Sequence, residues 1–350
     1  MTYFRPNIQA LSAYIPGEQP SPETKVIKLN TNENPYPPSP KALQVLRNID
    51  GELLRRYPHP MAETFRQAAS QAFGVPPDWI LVGNGSDEIL TMIFRGFAEP
   101  GRKVVYPMPT YVLYRTLSQI QDAETIEIPY PEDYRLPVEE LVKAGGSVTF
   151  VVSPNSPSGT QIPLDLLDTL AVRLSGVLVI DEAYVDFAET SALELVKKHD
   201  NVIVTRTLSK GYSLAGLRLG FAIAHPHLLS GLIKVKDSYN VDAISCLVGA
   251  AAIADSEYKN ANAEKIKATR SRMAHQLQEL GFKIWSSQAN FLLVQPASTF
   301  PHNAESLYQN LKQQGILVRY FPQPRLNDKL RITVGTPEET EALISAIAKF

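Results

Sequence analysis

The stretch TLSKGYSLAGLRLG, residues 207–220, is the most informative part of this chain. It places Lys210 between an apolar, strand-like run at 202–204 and a second short apolar run at 219–224. A lysine at such a junction can form a Schiff base with an aldehyde once burial or nearby cations lower the pKa of its ammonium group. An ordinary surface lysine needs no such surroundings, so the whole stretch favours a reactive lysine.

The same stretch carries groups that suit a phosphate. Thr207 and Ser209 offer hydroxyls, and Arg218 offers a guanidinium cation. Further upstream, GNGSDEIL at 83–90 joins an apolar run to a helical pattern. Its glycines allow the backbone to approach closely, and a helix N-terminus presents N–H groups to a phosphate. A reactive lysine together with a phosphate site is what pyridoxal 5′-phosphate (PLP) requires, so we expect PLP as the cofactor.

Three further motifs supply groups for a pyridine ring. Asp181 ends the apolar run of VLVIDEAYVDF, and a carboxylate at the carboxyl end of such a strand can keep the ring nitrogen protonated. Tyr184, three residues later, and Asn155 in the turn SPNSPSGT can both donate hydrogen bonds to the ring's phenolic oxygen. Tyr111 in PTYVLY is either a ring-stacking residue or an ordinary core tyrosine.

Composition restricts the class of protein. With 350 residues, 44% hydrophobic and 20% charged, the chain can bury a large core, and we expect two subdomains. A net charge of −2 and a pI near 6.3 give no electrostatic footprint for nucleic acid or an anionic membrane. The single cysteine, Cys246, fits a reducing compartment. No apolar run reaches about 18 residues and no secretory signal is visible, so a cytoplasmic protein is expected.

Short apolar runs alternate with longer amphipathic ones through the first two thirds of the chain, which is typical of an α/β fold with a mostly parallel sheet. Strands are predicted at 79–82, 103–106, 125–128, 148–153, 177–181, 201–205 and 219–224. Helices between them are predicted at 87–98, 164–174 and 192–198.

The alternation stops near residues 236–243, and a second, smaller α+β lobe is predicted after it. Its elements are expected at 263–280, 290–294, 304–315, 316–319 and 330–334, with a final helix from Glu338. The first 40-odd residues are rich in proline and are expected to be irregular. The predicted division is an N-terminal arm at 1–40 that contributes to the small domain and the active site, a large PLP-binding domain at 41–240, and a small C-terminal domain at 241–350.

In order and spacing, these motifs resemble the fold-type I PLP-dependent aminotransferases of classes I and II, and among them the branch that acts on histidinol phosphate. The segments that carry the resemblance are LNTNENPYPPSP, GNGSDEIL, YPMPTYVLY, SPNSPSGT, VIDEAYVDF, RTLSKGYSLAGLRLGF and LRITVGT. It extends from about Ile8 to the C-terminus. It implies an α/β fold with a mostly parallel seven-stranded sheet between helices in the large domain and a smaller α+β C-terminal domain. One departure is SPNSPSG in place of the commoner NPNNPTG.

The resemblance also implies a role for each matching residue. Lys210 is the Schiff-base residue, with Asp181 and Tyr184 as its catalytic companions. The cofactor-binding residues would be Gly85, Ser86, Asp87, Tyr111, Asn155, Asp181, Tyr184, Thr207, Ser209, Lys210 and Arg218, together with Tyr57 lent by the second subunit of a homodimer. Substrate would be bound by Tyr14, Asn32, Arg319 and Arg331. No metal site is expected.

The function implied by the resemblance is transamination in histidine biosynthesis. L-Histidinol phosphate and 2-oxoglutarate would be interconverted with imidazole-acetol phosphate and L-glutamate. Guanidinium groups bind phosphate and carboxylate alike, so an aromatic or broad-specificity aminotransferase remains an alternative. A threonine-phosphate decarboxylase, with the same lysine and anion pocket, is a second alternative. A non-enzymatic regulator would need an added basic DNA-binding segment, and none fits ahead of residue 30.

Overall fold

The computed structural model describes residues 3–12, 17–21, 23 and 25–350. The strands of this part of the chain are β1 (Ile27–Lys28), β2 (Ile80–Asn84), β3 (Lys103–Met108), β4 (Glu124–Pro129), β5 (Val148–Val152), β6 (Val177–Asp181), β7 (Val202–Thr207), β8 (Leu219–Ala224), β9 (Lys283–Ile284), β10 (Phe291–Gln295), β11 (Ile316–Leu317), β12 (Arg319–Tyr320) and β13 (Leu330–Thr333). Its helices are α1 (Pro6–Gln9), α2 (Pro40–Arg47), α3 (Gly51–Leu54), α4 (Glu63–Phe73), α5 (Ser86–Phe97), α6 (Leu113–Ile120), α7 (Val138–Ala144), α8 (Leu164–Arg173), α9 (Leu195–Lys198), α10 (Pro226–Ile233), α11 (Ala243–Ile253), α12 (Ser256–Glu279), α13 (Ala304–Gln313) and α14 (Pro337–Ile347).

Strands β2 to β8 form one seven-stranded sheet in the order β2-β8-β7-β6-β5-β3-β4. Strand β8 runs antiparallel to both of its neighbours, β2 and β7, and the other pairings are parallel. All seven strands predicted from apolar runs are present, within a few residues of the expected bounds. The mostly parallel seven-stranded sheet is therefore confirmed.

The central strands are buried along their whole length because both faces of the sheet are covered. In β6, Leu178 and Ile180 pack in one apolar core, which also takes residues of α2, α4, α8 and α11. Val177 and Val179 of the same strand pack in a second core with residues of α5, α6 and α10. Successive side chains of a strand point to opposite faces, so continuous apolar runs supply both cores at once.

The carboxyl ends of the parallel strands meet at a single edge of the large sheet. Because β8 is antiparallel, its beginning lies at that same edge, where Leu219 pairs with Asn84 and Gly220 with Thr207. The turns that follow β2, β3, β5, β6 and β7 and the turn that precedes β8 therefore come together. These are the turns that carry the motifs predicted to bind the cofactor.

The C-terminal part of the chain forms a four-stranded antiparallel sheet in the order β12-β13-β10-β9. Its apolar core contains residues of α12, α13 and α14. The N-terminal segment, expected to be irregular, contributes strand β1, which pairs in parallel with β11. This pairing holds the start of the chain against the small sheet, and it was not predicted because β1 has only two residues.

Helix α11 packs against α2 and α4 and shares a core with the large sheet. The division of the chain into three parts remains a prediction. Because α11 packs in the core of the large sheet and α12 in the core of the small sheet, the chain passes between these two cores close to the start of α12. That helix begins at Ser256, seven residues before its expected start. The predicted helix at 192–198 is a 3-10 turn followed by the short helix α9.

Candidate active site

Lys210 follows β7 and lies among groups from three parts of the chain. Its Nζ atom donates a hydrogen bond to the carbonyl oxygen of Thr31, at 3.1 Å. Asn34 holds the backbone on the other side, because its Nδ2 atom donates to the carbonyl oxygen of Lys210 at 3.0 Å. Burial, and after it the positive charge of Arg331, lowers the pKa of Lys210 to about 8. At pH 7 about a tenth of this amine is therefore neutral, far more than for a lysine with the usual pKa.

Asp181 is the last residue of β6 and is only 3% exposed. One carboxylate oxygen, Oδ2, accepts a hydrogen bond from the hydroxyl of Tyr114 at 2.9 Å, and Oδ1 accepts one from the backbone N–H of Ala183 at 3.1 Å. Burial raises the pKa of Asp181 to about 6, although both hydrogen bonds act against the rise. Asp181 is consequently an anion above pH 6 despite its burial.

The N-terminus of α5 forms a cradle at the same edge. Gly85 precedes the helix with φ at +79°, and a Cβ atom there would lie 2.6 Å from a guanidinium nitrogen of Arg218. A Cβ atom on Gly220 would lie 2.4 Å from the backbone nitrogen of Ser86. Glycine at both positions thus lets the helix N-terminus, strand β8 and Arg218 approach one another. N–H groups at a helix N-terminus beside a guanidinium form an anion site.

Two hydroxyls complete this cradle. Thr207 ends β7, and its Oγ1 atom donates to Oγ of Ser209 at 2.9 Å, while the N–H of Ser209 donates back to Oγ1 of Thr207 at 3.1 Å. Both residues are 6% exposed. The residues predicted to bind a phosphate thereby come together at one end of the sheet edge. They are Gly85–Asp87, Thr207, Ser209 and Arg218.

Asp87 links the cradle to Tyr111. Its Oδ2 atom accepts from Arg218 at 3.1 Å, and its Oδ1 atom accepts from the hydroxyl of Tyr111 at 2.9 Å. The ring of Tyr111 meets the ring of Tyr114 edge-on, with centroids 5.8 Å apart. Tyr111 is thus partly buried and is connected to the cradle by its hydrogen bond to Asp87. Its stacking on a cofactor ring stays a prediction.

Asn155 is completely buried in the turn after β5. Its Nδ2 atom donates to Oγ of Ser158 at 2.9 Å, and its Oδ1 atom accepts from the hydroxyl of Thr110 at 3.0 Å. These bonds fix the plane of the amide. Sequence reasoning identified Asn155 and overlooked Thr110, which fixes the orientation of the amide and stands directly before Tyr111 in PTYVLY.

Tyr184 and Asn32 are joined directly. The Nδ2 atom of Asn32 donates to the Tyr184 hydroxyl oxygen at 3.0 Å, and its Oδ1 atom accepts from the hydroxyl of Thr333 at 3.1 Å. Asn32 is 1% exposed and has a φ of +56°. The residue expected to bind substrate therefore connects the small sheet to the Tyr184 side chain.

Arg319 and Arg331 are directly opposite each other on β12 and β13. Opposed residues of an antiparallel pair share one face of the sheet, where like charges are unfavourable without an anion or another compensating group. The two guanidinium groups lie 5.3 and 5.5 Å from the ring centroid of Phe321. Arg331 also donates to Oγ of Ser156, at 3.2 Å, so one of the three serines that distinguish SPNSPSG from NPNNPTG contacts a predicted substrate residue.

One predicted residue, Tyr57, lies apart from this group. Tyr57 is 82% exposed, and its ring stacks on that of Tyr239 with centroids 4.5 Å apart. Tyr14 lies outside the described residues. Among the residues that the structure describes, no group of three or more His, Cys, Asp or Glu side chains is placed to hold a metal ion. Within the same part of the chain, no helix has the length and apolar character needed to cross a membrane.

The fold and this site define a class of protein, and comparison of the chain with known sequences and structures identifies that class. The sequence profile of the family described as Aminotransferase class I and II matches residues 24–347, and the chain belongs to that family. Histidinol-phosphate aminotransferase 1 of Nostoc sp. is 64% identical over 99% of this chain and 97% of its own length. Histidinol-phosphate aminotransferase of Geotalea daltonii is 42% identical, over 100% of this chain and 99% of its own.

Among solved structures, this chain is similar to histidinol-phosphate aminotransferase from Sinorhizobium meliloti in complex with pyridoxal-5′-phosphate. It matches with a TM-score of 0.90 at 26% identity and covers 100% of this chain and 97% of that one. The fold class expected from the sequence is therefore confirmed over the full length of the chain.

The lowered pKa of Lys210 can be measured in cofactor-free protein. Because only a neutral amine reacts with an acylating reagent, the rate of acetylation of Lys210 should follow a titration centred at about pH 8. Lys41 is the control, since its side chain is 66% exposed and hydrogen bonding to Asp255 raises its pKa. Competitive acetylation across pH, read by peptide mass spectrometry, compares the two. A midpoint for Lys210 as high as that of Lys41 would contradict the assigned environment.

Proposed function

We propose that this protein is a PLP-dependent aminotransferase that interconverts L-histidinol phosphate and 2-oxoglutarate with imidazole-acetol phosphate and L-glutamate, and that in histidine biosynthesis it forms histidinol phosphate with glutamate as the amino donor. The observation that carries the proposal is the position of Lys210, a partly buried amine of lowered pKa, beside an anion cradle on a full-length aminotransferase fold. Relatives that are 42% and 64% identical carry the name histidinol-phosphate aminotransferase, which favours this substrate.

The residues at this edge would provide a partner for each polar group of PLP. The cradle of Gly85, Ser86, Asp87, Thr207, Ser209 and Arg218 would hold the phosphate, since it combines N–H groups, hydroxyls and a cation where two glycines leave room. Asp181 would face the ring nitrogen and Lys210 the aldehyde. Asn155 and Tyr184 would donate to the phenolic oxygen, and Tyr111 would cover one face of the ring.

When bound, PLP supplies a carbonyl that accepts the amino group and a ring that takes up electrons from the substrate carbon. Lys210 provides the base, because its Nζ atom can take the proton from the substrate Cα and deliver it again as an acid. A pKa of about 8 suits both directions near neutral pH. Asp181, an anion above its pKa of about 6, would keep the ring nitrogen cationic.

The substrate anion would be bound by Arg331 and Arg319. Two opposed guanidinium groups can bind the phosphate of histidinol phosphate in one half of the reaction and a carboxylate of glutamate in the other. Tyr14 and Asn32 would complete this pocket, Asn32 through its contact with Tyr184. An aromatic or broad-specificity aminotransferase would use the same arginines, and the names of the relatives favour histidinol phosphate over it.

We further propose a homodimer with shared active sites. Tyr57 and Tyr239 present a stacked aromatic pair on the surface, a suitable contact for a second copy. A cavity of about 310 Å³ opens beside Asp87 and Tyr111, next to the phosphate cradle. Tyr57 of the second copy would reach the phosphate from this side. A cytoplasmic location is proposed with the biosynthetic role, and the buried free thiol of Cys246 is consistent with it.

Substitution of Arg331 by lysine tests the substrate. Arg331→Lys replaces a fork with a point charge, so KM for histidinol phosphate should rise about tenfold or more, as expected for lost hydrogen bonds to a charged group. PLP binding should be unchanged, since the cofactor phosphate is assigned to Arg218. The measurement is steady-state kinetics with 2-oxoglutarate, with Lys210→Ala as the inactive control. Unchanged KM would remove Arg331 from the pocket, and release of carbon dioxide from threonine phosphate without transamination would contradict the function.

Mixed dimers test the shared site. Tyr57→Phe and Lys210→Ala chains, each impaired alone, should form heterodimers in which one site carries both substitutions and the other carries neither. Activity should therefore reappear on mixing, up to one intact site per heterodimer. The measurement is turnover against mixing ratio, with wild-type plus Lys210→Ala as the reference. A fully active monomer, or mixing without any recovery while Tyr57→Phe alone is impaired, would contradict it.

A further inference from the structure

Tyr114 contacts Asp181 and has no role among the functional residues considered so far. It is the second residue of α6, is completely buried, and donates from its hydroxyl to Oδ2 of Asp181 at 2.9 Å. In the sequence it is the last letter of PTYVLY, three residues after Tyr111. The hydroxyl thus meets the carboxylate assigned to the cofactor's ring nitrogen.

Three aromatic rings fix the ring of Tyr114. Phe150 stacks on it with centroids 4.8 Å apart, Tyr106 lies at 5.6 Å and Tyr111 at 5.8 Å. Such packing leaves the ring little freedom to turn away. Burial, and then the charge of Asp181, raises the pKa of Tyr114 well above its ordinary value. The phenol therefore keeps its proton, and its O–H remains a donor toward the carboxylate.

The surroundings of Asp181 show why this donor matters. Burial and the negative charge of Asp87 on α5 both raise the pKa of Asp181 and so favour the neutral acid. The opposing groups are the Tyr114 hydroxyl from α6 and the N–H of Ala183, both of which donate hydrogen bonds to the carboxylate. Of the hydrogen bonds that oppose burial, the one from Tyr114 has the largest effect.

We propose that Tyr114 is a positioning residue of the cofactor site, whose hydroxyl keeps the Asp181 carboxylate ionised and fixes its orientation toward the ring nitrogen. Tyr114 acts through Asp181 and does not itself touch the reacting atoms. The inference rests on the proposed function in one respect, the assignment of Asp181 to the ring nitrogen. The effect of Tyr114 on Asp181 is a property of the chain alone and can be tested without cofactor.

Tyr106 provides a matched control within the same aromatic cluster. It is 1% exposed and its hydroxyl also donates to a carboxylate, Oε1 of Glu127, at 2.8 Å. That carboxylate is held by Arg115 and stands on β4, three strands away from β6, which carries Asp181. Tyr106→Phe therefore removes one buried hydroxyl from the cluster and leaves the Tyr114–Asp181 bond in place.

The first experiment is a carboxyl titration of cofactor-free protein labelled with ¹³C at aspartate, with the Asp181 signal assigned by its absence in Asp181→Asn. Wild type should titrate at about pH 6. In Tyr114→Phe the midpoint should rise by about one pH unit, the size of effect typical of one lost hydrogen bond to a carboxylate. Tyr106→Phe should leave the midpoint unchanged. An unchanged midpoint in Tyr114→Phe would overturn the proposal.

The second experiment is PLP binding across pH. Affinity should weaken as Asp181 becomes protonated, and in Tyr114→Phe the weakening should begin about one pH unit higher, which is about tenfold in the ionisation equilibrium. Binding with an unshifted profile would overturn the role of Tyr114 and leave the proposed function standing. Failure of the wild-type protein to bind PLP at all would instead overturn the proposed function.

A second variant covers the case in which Tyr114→Phe folds poorly. Introduction of 3-fluorotyrosine at position 114 retains the ring and the hydroxyl and makes the phenol a stronger donor. The midpoint of Asp181 should then fall below that of the wild type. A midpoint that stays at the wild-type value in this variant would also overturn the proposal.

Discussion

Two groups of opposite charge, the Asp181 carboxyl and the Lys210 amine, are held at one edge of the large sheet by neutral partners. Asp181 accepts from the Tyr114 hydroxyl, and Lys210 donates to the Thr31 carbonyl. Each charged form is disfavoured by burial, so the pKa of Asp181 rises to about 6 and that of Lys210 falls to about 8. Folding raises the pKa of Asp181, so the protein loses stability as this carboxyl ionises. The free energy of unfolding falls as the pH rises from about 4, and the full loss, on the order of 3 kcal/mol, is reached above pH 6.

The rest of the structure makes that burial possible. Layers of helices pack on both faces of the sheet, and residues 31–34 and Arg331 of the small sheet contact its edge from outside. Thr31, the partner of Lys210, is held by its neighbour Asn32, which bonds to Thr333 of the small sheet and to Tyr184 after β6. The position of the small sheet is thus coupled to the side chains around Lys210 through a few buried hydrogen bonds.

Much of this could be predicted from the sequence because the central strands of the large sheet are apolar on both faces and the motifs stand at the strand ends. Lys210, Asp181 and Asn155 follow continuous apolar runs, so their position at one edge follows from parallel strand order. Strand β1 was not predictable, since two residues have no periodicity and their bonds come from β11, almost 300 residues later. Tyr114 was overlooked for a related reason. Its importance lies in a contact with Asp181, 67 positions away, and by pattern alone it is an ordinary core tyrosine.

The central claim is that this edge holds PLP with Lys210 as the attachment point, and borohydride reduction of the holoenzyme followed by peptide mapping tests it most directly. The account predicts one phosphopyridoxyl group per chain, on Lys210 within the peptide containing TLSKGYS, and loss of the visible absorption band on reduction. A label on a different lysine, or reduction that leaves the cofactor free to dialyse away, would contradict it.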